Sequence, residues 1–177
     1  MNLPSDQFLQ LVQPFPTTIS SPKLDLISLA WNHIADRYLR RLENNRIHAG
    51  RVRSIRLLAV HDAIHSVIDP GNGYIFNEIA NSSSTTAAAA AAIRASHDLL
   101  AAVFTDAQDQ EDLSDLLEES LSLLGDHLDK AAGVESGARS AAAYLRAFSP
   151  LLTHRETGRL QRVPAGHGYP DFWRRSA

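Results

Sequence analysis

Residues 57 to 68, with the sequence LLAVHDAIHSVI, place two histidines and an aspartate in an otherwise apolar run. A buried ionisable side chain is costly unless hydrogen bonds or a bound ion satisfy it. In a helix His61 and His65 are one turn apart, so they share a face on which two imidazoles can bind one metal ion. The segment therefore predicts either a site or a set of internal hydrogen bonds, and His61, Asp62 and His65 are the candidate catalytic residues.

The adjacent pair His61 and Asp62 is similar to the motif of metal-dependent phosphohydrolases of the HD type, in which histidines and aspartates bind one or two divalent metals. In this interpretation His48 and His65 are the further ligands. His48 lies closer upstream than the pattern of that family usually allows, and no distal aspartate motif completes the set. A phosphohydrolase of this type is the alternative function.

Charge is unevenly distributed along the chain. Seven arginines occur between residues 37 and 56: Arg37, Arg40, Arg41, Arg46, Arg51, Arg53 and Arg56. Residues 106 to 119 hold seven acidic side chains and no basic one. Guanidinium groups bind carboxylates and phosphates through paired hydrogen bonds, so Arg51, Arg53 and Arg56 are anion-binding candidates for a helical bundle that holds a small anionic molecule. The alternative is that both runs are solvated surfaces or pair with each other.

Composition excludes several classes of function. The 177 residues contain no cysteine, which excludes disulfides, thiolate catalysis and cysteine-bearing zinc sites. The formal net charge of -3 gives no overall bias towards nucleic acid or anionic membranes, and no segment reaches the length of a membrane span. We therefore expect a cytoplasmic chain with one main domain and with neither a nucleic-acid nor a membrane partner.

The spacing of apolar residues predicts the helices that must position these side chains. The predicted helices cover residues 22–45, 49–68, 87–104, 106–128 and 135–148. Six consecutive alanines from Ala87 predict a close helix contact. Gly125 is expected to kink the fourth helix and Gly133 to interrupt the chain before the fifth, which stops before Pro150. The predicted fold is an all-α helical bundle at 21–149, with an irregular N-terminal arm at 1–20 and an extended C-terminal tail at 150–177.

Four pieces of the sequence, taken in order, resemble the N-terminal helical half of vanadium-dependent haloperoxidases and type 2 phosphatidic acid phosphatases. RSIRLLAVHDAIHSV resembles their helix with an Ala-Arg, Leu-Ala and His-x-Ala-Met-x-Asp-Ala-Val pattern. GYIF followed by TTAAAAAAIRASHDLLAAVF resembles the aromatic loop and alanine-rich helix that come next. LLGDHLDKAAGVESGARSAAAYLRA resembles the segment after those, and VPAGHGYPDFWRRS resembles the Pro-Gly-x-Gly-x-Trp-Arg-Pro linker before the catalytic half. The resemblance covers about residues 25 to 175.

The individual positions that match this family lie along the whole chain. They are Leu58, Ala59, His61, Ala63, Gly125, Lys130, Gly133, Gly137, Trp173 and Arg174. Ser66 stands where the family has an aspartate, and Ala165 in PAGHGYP stands where the Pro-Ser-Gly-His element of the catalytic half has its serine. That element, the lysine, the arginines and the vanadate-ligating histidine of the family belong to the half that follows Trp173.

The resemblance implies the non-catalytic helical half or subunit of a haloperoxidase-like or acid-phosphatase-like protein. It implies no cofactor in this chain alone, and vanadate only in a complex with a catalytic half. Such a half is expected to expose an apolar face that a protein partner or a second copy covers, with Tyr169, Phe172 and Trp173 as candidate interface residues. We expect His61 to hydrogen bond between packed helices, and Asp62 to be its exposed neighbour or a partner of the arginines.

Overall fold

The computed structural model describes residues 22–42, 45–125 and 127–153. Within these ranges the protein is all-α and no strand occurs, which confirms the predicted fold class. The described helices are α1 (Pro22–Arg40), α2 (Arg46–Ile68), α3 (Thr85–Val103), α4 (Ala107–Ser122) and α5 (Leu128–Thr153). None of these helices combines the length with the apolar composition that crossing a membrane requires.

The alanine-rich helix α3 is the centre of the bundle, because the other four described helices all pack against it. The six alanines from Ala87 to Ala92 are buried, as are Leu99 and Leu100 further along the helix. Ser84 caps its N-terminus and accepts a hydrogen bond from the N–H of Ala87 at 3.1 Å. Since alanine combines the highest helix propensity with a one-carbon side chain, neighbouring helices approach this segment closely.

The closest approach joins α3 to α5 through two glycines. A Cβ at Gly133 would lie 2.1 Å from the carbonyl oxygen of Ala87, and a Cβ at Gly137 would lie 2.4 Å from that of Ala91. The predicted interruption at Gly133 is therefore wrong, because α5 continues through both residues. A glycine inside a helix costs about 1 kcal/mol relative to alanine, and here the close backbone contact is the reason for its presence.

Other predicted helix ends also differ from the structure. Gly125 has a φ of +74° in the turn after α4, so it separates two helices instead of kinking one. Leu128 begins α5 and is 99 % exposed, so the fourth helix does not reach residue 128 as predicted. The last helix continues through Pro150 to Thr153, and the burial of Leu152 in this final turn favours its continuation.

The boundary between the first two helices lies earlier in the chain than the spacing of apolar residues predicts. Asn45 is not the end of α1 but the N-cap of α2, where its side chain accepts a hydrogen bond from the N–H of His48 at 3.0 Å. The predicted arm at 1–20 lies outside the described residues. The same holds for the tail after Thr153, and thus for Tyr169, Phe172 and Trp173.

Candidate functional site

Asp62 lies in a buried polar network between α2, α5 and the segment of residues 69–84, here called the α2–α3 connection. Its side chain has no exposed surface. Its Oδ1 accepts a hydrogen bond from the N–H of Tyr74 at 2.9 Å, and its Oδ2 accepts from the N–H groups of Ile75 and Phe76 at 2.8 and 2.9 Å. The Tyr144 hydroxyl on α5 donates to Oδ2 at 2.8 Å. Asp62 thus holds the connection against the bundle.

The α2–α3 connection reaches Asp62 because its glycines allow it to fold back. Gly71 has a φ of +101°, a conformation that side-chain-bearing residues rarely adopt. A Cβ at Gly73 would lie 2.1 Å from the carbonyl oxygen of Phe76. Further along, the N–H of Ala80 donates to the carbonyl oxygen of Ser66 at 2.9 Å, so α2 holds the connection at two points.

The network keeps Asp62 ionised. Burial raises the pKa of this carboxyl group, but the three backbone N–H groups and the Tyr144 hydroxyl outweigh burial and leave the pKa below its ordinary value. Burial, and then the hydrogen bond to Asp62, raise the pKa of Tyr144. At neutral pH the pair is therefore a carboxylate that accepts a hydrogen bond from a neutral phenol.

His61 and His65 lie on the partly exposed side of α2. The Nδ1 of His61 is 3.2 Å from Oδ1 of Asp62, and the His61 side chain is 38 % exposed. Its ring stacks on that of His65, with 4.1 Å between the ring centroids, and lies 5.1 Å from the ring of Tyr74. The predicted roles are thus reversed: Asp62, expected to be exposed, is the buried residue, and His61 is not enclosed between helices. The reason is that the carboxylate accepts several backbone N–H groups at once.

The residues of the HD-type interpretation are not assembled as a metal site. A carboxylate has about four lone-pair positions, and the hydrogen bonds that Asp62 accepts already occupy them. His48 is in the first turn of α2, about 20 Å from His61 at the helical rise of about 1.5 Å per residue. Across residues 22–42, 45–125 and 127–153, no three His, Asp or Glu residues form a group that could hold a metal ion.

Arg51, Arg53 and Arg56 do not converge on one point. With about 3.6 residues per helical turn, Arg53 and Arg56 leave one side of α2 and Arg51 leaves another. Arg53 donates to Asp36 on α1 at 2.7 Å in an exposed ion pair, whereas Arg56 is buried. Arg51, Arg53 and Arg56 therefore do not form one oxyanion site of the kind that vanadate would need.

Arg56 is held by neutral groups of two neighbouring helices. Its Nη1 donates to Ser96 Oγ on α3 at 2.8 Å, and its Nη2 donates to Asn32 Oδ1 on α1. Its Nε has no hydrogen-bond partner among the described residues. Burial lowers the pKa of Arg56 to about 10, although the charge of Asp36 acts in the opposite direction, so the guanidinium remains charged at neutral pH. Arg56 thus joins α1, α2 and α3 inside the bundle.

A cleft of about 780 Å³ opens near the end of α1, and its lining includes Arg41, His48, Phe104 and Leu152. Arg41 forms a two-point salt bridge with Asp109 of the acidic segment, with 2.9 Å between Nη2 and Oδ2. Its guanidinium also lies 5.6 Å from the centre of the Phe104 ring. Because this cation is already paired, we assign no ligand to the cleft.

One row of positions along the outward side of α2 carries no charged side chain, and the exposed Arg46 and Arg53 lie beside this row. Seven positions spaced alternately three and four residues apart form this surface, here called the α2 outer face: Ile47, Gly50, Ser54, Leu57, His61, Ile64 and Ile68. Ile47 is 52 % exposed and Leu57 is 44 % exposed, and the other five are exposed or partly exposed. This spacing is typical of a helix that packs along a second helix.

Comparison with models of protein families, with curated proteins and with solved structures finds no match to the chain. The resemblance to haloperoxidases and acid phosphatases stays a prediction that depends on the ordered sequence pieces alone.

Tyr144 is a partner of Asp62 that the sequence-based predictions do not include. The segment SAAAYLRA places this single large polar ring among small residues of α5, where the helix packs closely on its neighbours. A tyrosine hydroxyl in such a position needs a hydrogen-bond partner, and an aspartate in another apolar helix is a candidate. That combination is the signal from which the pair could have been found.

Proposed function

We propose that the chain is the non-catalytic helical half of a cytoplasmic protein similar to vanadium-dependent haloperoxidases and acid phosphatases. It acts by binding a catalytic half through the α2 outer face. The observation that carries the proposal is this face, on which Ile47 and Leu57 are exposed in a row of seven uncharged positions. Exposed apolar side chains on one side of a helix, grouped with other uncharged positions, are typical of protein interfaces.

The packing of the matched small residues supports the same proposal. Gly133 and Gly137, which match the family, allow α5 to approach the alanine-rich α3, which also matches it. Ala59 and Ala63, two matched residues of α2, are fully buried, and the carbonyl oxygen of Ala59 accepts a hydrogen bond from Ser140 at 2.8 Å. These matched small residues thus share one role, which is close packing of α2, α3 and α5.

A non-catalytic role agrees with how the candidate catalytic groups are used. Asp62 accepts hydrogen bonds from backbone N–H groups, and Arg56 donates to neutral acceptors. Arg53 is paired with Asp36. In this proposal the vanadate-binding groups and the Pro-Ser-Gly-His element belong to the catalytic half. Where a catalytic half is absent, a second copy of the chain covers the α2 outer face.

The test compares the tagged wild-type chain with two variants in the source organism. Leu57→Glu places a charge in the α2 outer face, and Ser114→Glu places the same charge at an exposed position of α4 as the control. Wild type and control are expected to co-purify with a chain that carries Pro-Ser-Gly-His and flanking arginines, and the complex is expected to show vanadate-dependent peroxidase or phosphatase activity. Leu57→Glu loses both. A purified monomer that is active with vanadate alone contradicts the proposal.

A further inference from the structure

We propose that His61 and His65 form a binding site for one divalent transition-metal ion of the group Zn²⁺, Ni²⁺ and Cu²⁺. The site lies on the partly exposed side of α2. His61 also belongs to the α2 outer face, so the metal binds to the free chain, in which this face is uncovered. The site also differs from a phosphohydrolase centre, because Asp62 orients a ligand here and does not bind the metal.

The two imidazoles are close enough to share one ion. His61 and His65 are four residues apart in α2, and their rings lie 4.1 Å apart, centroid to centroid, with 29° between their planes. A zinc ion lies about 2.0–2.1 Å from each ligating nitrogen, so in tetrahedral coordination two ligating nitrogens are about 3.3 Å apart. Because the rings are stacked, the ring of His65 has to rotate about its side-chain bonds to turn its Nε2 towards an ion held by His61.

Carboxylates face the Nδ1 atoms of both rings. The Nδ1 of His61 is 3.2 Å from Oδ1 of Asp62, and the Nδ1 of His65 is buried and lies 3.5 Å from Oδ2 of Asp69. An ionised carboxylate only accepts hydrogen bonds, so the proposal assigns the proton of His61 to Nδ1 and the metal-binding lone pair to Nε2. The Nδ1 of His65 forms no hydrogen bond among the described residues, and in the proposed site it donates to Asp69 after the ring has rotated. Carboxylate, histidine and metal in this order are the usual arrangement in protein metal sites.

The residues around His61 hold its ring in a defined orientation. Asp62 is held by three backbone N–H groups and by Tyr144, and the ring of His61 has contacts with both His65 and Tyr74. A ligand that is already oriented loses little side-chain freedom on binding the ion. Two protein ligands leave the other coordination positions to water, and imidazole ligands favour Zn²⁺, Ni²⁺ and Cu²⁺ over Mg²⁺ and Ca²⁺.

Isothermal titration calorimetry of the full chain, freed of purification tags and stripped with chelator, tests the proposal with ZnCl₂, NiCl₂ and MgCl₂. We expect one Zn²⁺ or Ni²⁺ ion per chain and no heat from Mg²⁺. His61→Ala and His65→Ala each weaken binding by at least about tenfold, and Asp69→Asn, which removes the carboxylate behind His65, weakens it by about tenfold. His33→Ala, at an exposed position of α1, leaves the affinity unchanged.

Nuclear magnetic resonance of the wild-type imidazole nitrogens gives a readout that needs no variant. The Nε2 resonances of His61 and His65 are expected to shift on addition of Zn²⁺, with smaller changes at Nδ1. Binding that is absent, or that is equally strong after both histidine substitutions, overturns the proposal. A shift confined to other histidines overturns it as well.

Discussion

Asp62 is the residue on which the local structure beside α2 depends. Its position in an apolar helix could be read from the sequence as unusual, but its role could not. The groups that satisfy it belong to residues 74 to 76 and to Tyr144, which only the folded chain brings next to it. The same holds for Arg56, because its partners Asn32 and Ser96 lie on two other helices.

Tyr144→Phe removes one of the donors to this carboxylate. Since a hydrogen bond to a charged group contributes about 1.5–3 kcal/mol, we expect the free energy of unfolding to fall by this amount in urea denaturation. The substitution is repeated in an Asp62→Asn background, where the charged acceptor is absent. The effect should then be clearly smaller, and an equal effect in both backgrounds would show that the hydroxyl stabilises the fold in another way.

The lowered pKa of Asp62 makes stability depend on pH in a defined direction. In the folded protein the carboxylate binds its proton more weakly than in the unfolded chain, where its pKa is about 3.9. The stabilisation is therefore complete above about pH 4 and is lost as the pH falls through the lower folded-state value. Urea denaturation between about pH 5 and pH 2 should show a shallower loss for Asp62→Asn than for wild type. Parallel curves would refute this assignment.

Arg56 is a buried cation with neutral acceptors, so removing the charge is expected to cost less than removing an acceptor. Arg56→Met keeps the length of the side chain and should change the free energy of unfolding by no more than about 1 kcal/mol. Ser96→Ala leaves the guanidinium buried with one partner fewer and should cost about 3 kcal/mol. Thermal and urea denaturation of the two variants give the order, and the opposite order contradicts this view of Arg56.

The order of the helices follows from the sequence because apolar periodicity and capping residues are local signals. Their ends follow less well, because packing against other helices decides them. Gly133 is the clearest case: its residue type predicts a break, whereas its contact with Ala87 requires a glycine inside a continuous helix. Asn45 is the opposite case, since the spacing of apolar residues predicts that α1 ends there, whereas α1 ends at Arg40 and Asn45 caps the start of α2.

Replacing glycine by alanine should therefore change the free energy of unfolding in opposite directions at two positions. Gly133→Ala places a Cβ against the Ala87 backbone and is expected to lower the free energy of unfolding by about 3 kcal/mol. Gly50 in α2 has open space around it, so Gly50→Ala should raise the free energy of unfolding by about 0.5–1 kcal/mol through helix propensity. Chemical denaturation of both variants is the measurement. A tolerated Gly133→Ala would mean that α3 and α5 are not packed so closely.

The described molecule is a helical bundle in which the other helices pack around α3. In contrast, α2 has a row of uncharged positions that are exposed or partly exposed. Composition and periodicity suffice to predict an all-α fold, since they indicate which residues are apolar and how they are spaced. They do not indicate which apolar residues stay exposed. Leu57 and Leu58 are the same residue type, and they differ in exposure only through the orientation of α2. The α2 outer face, on which the proposed function depends, is therefore visible only in the structure.

Photo-crosslinking from a single position of α2 tests the central claim most directly. The chain has no cysteine, so Leu57→Cys and the control Ser114→Cys can each be labelled at one site with a benzophenone maleimide. After irradiation with extract of the source organism, mass spectrometry identifies the crosslinked peptide. We expect the label at residue 57, but not at 114, to crosslink to a chain that carries Pro-Ser-Gly-His with flanking arginines, or to α2 of a second copy. Equal and unspecific labelling from both positions, with a monomeric chain, would contradict the claim that the α2 outer face is an interface.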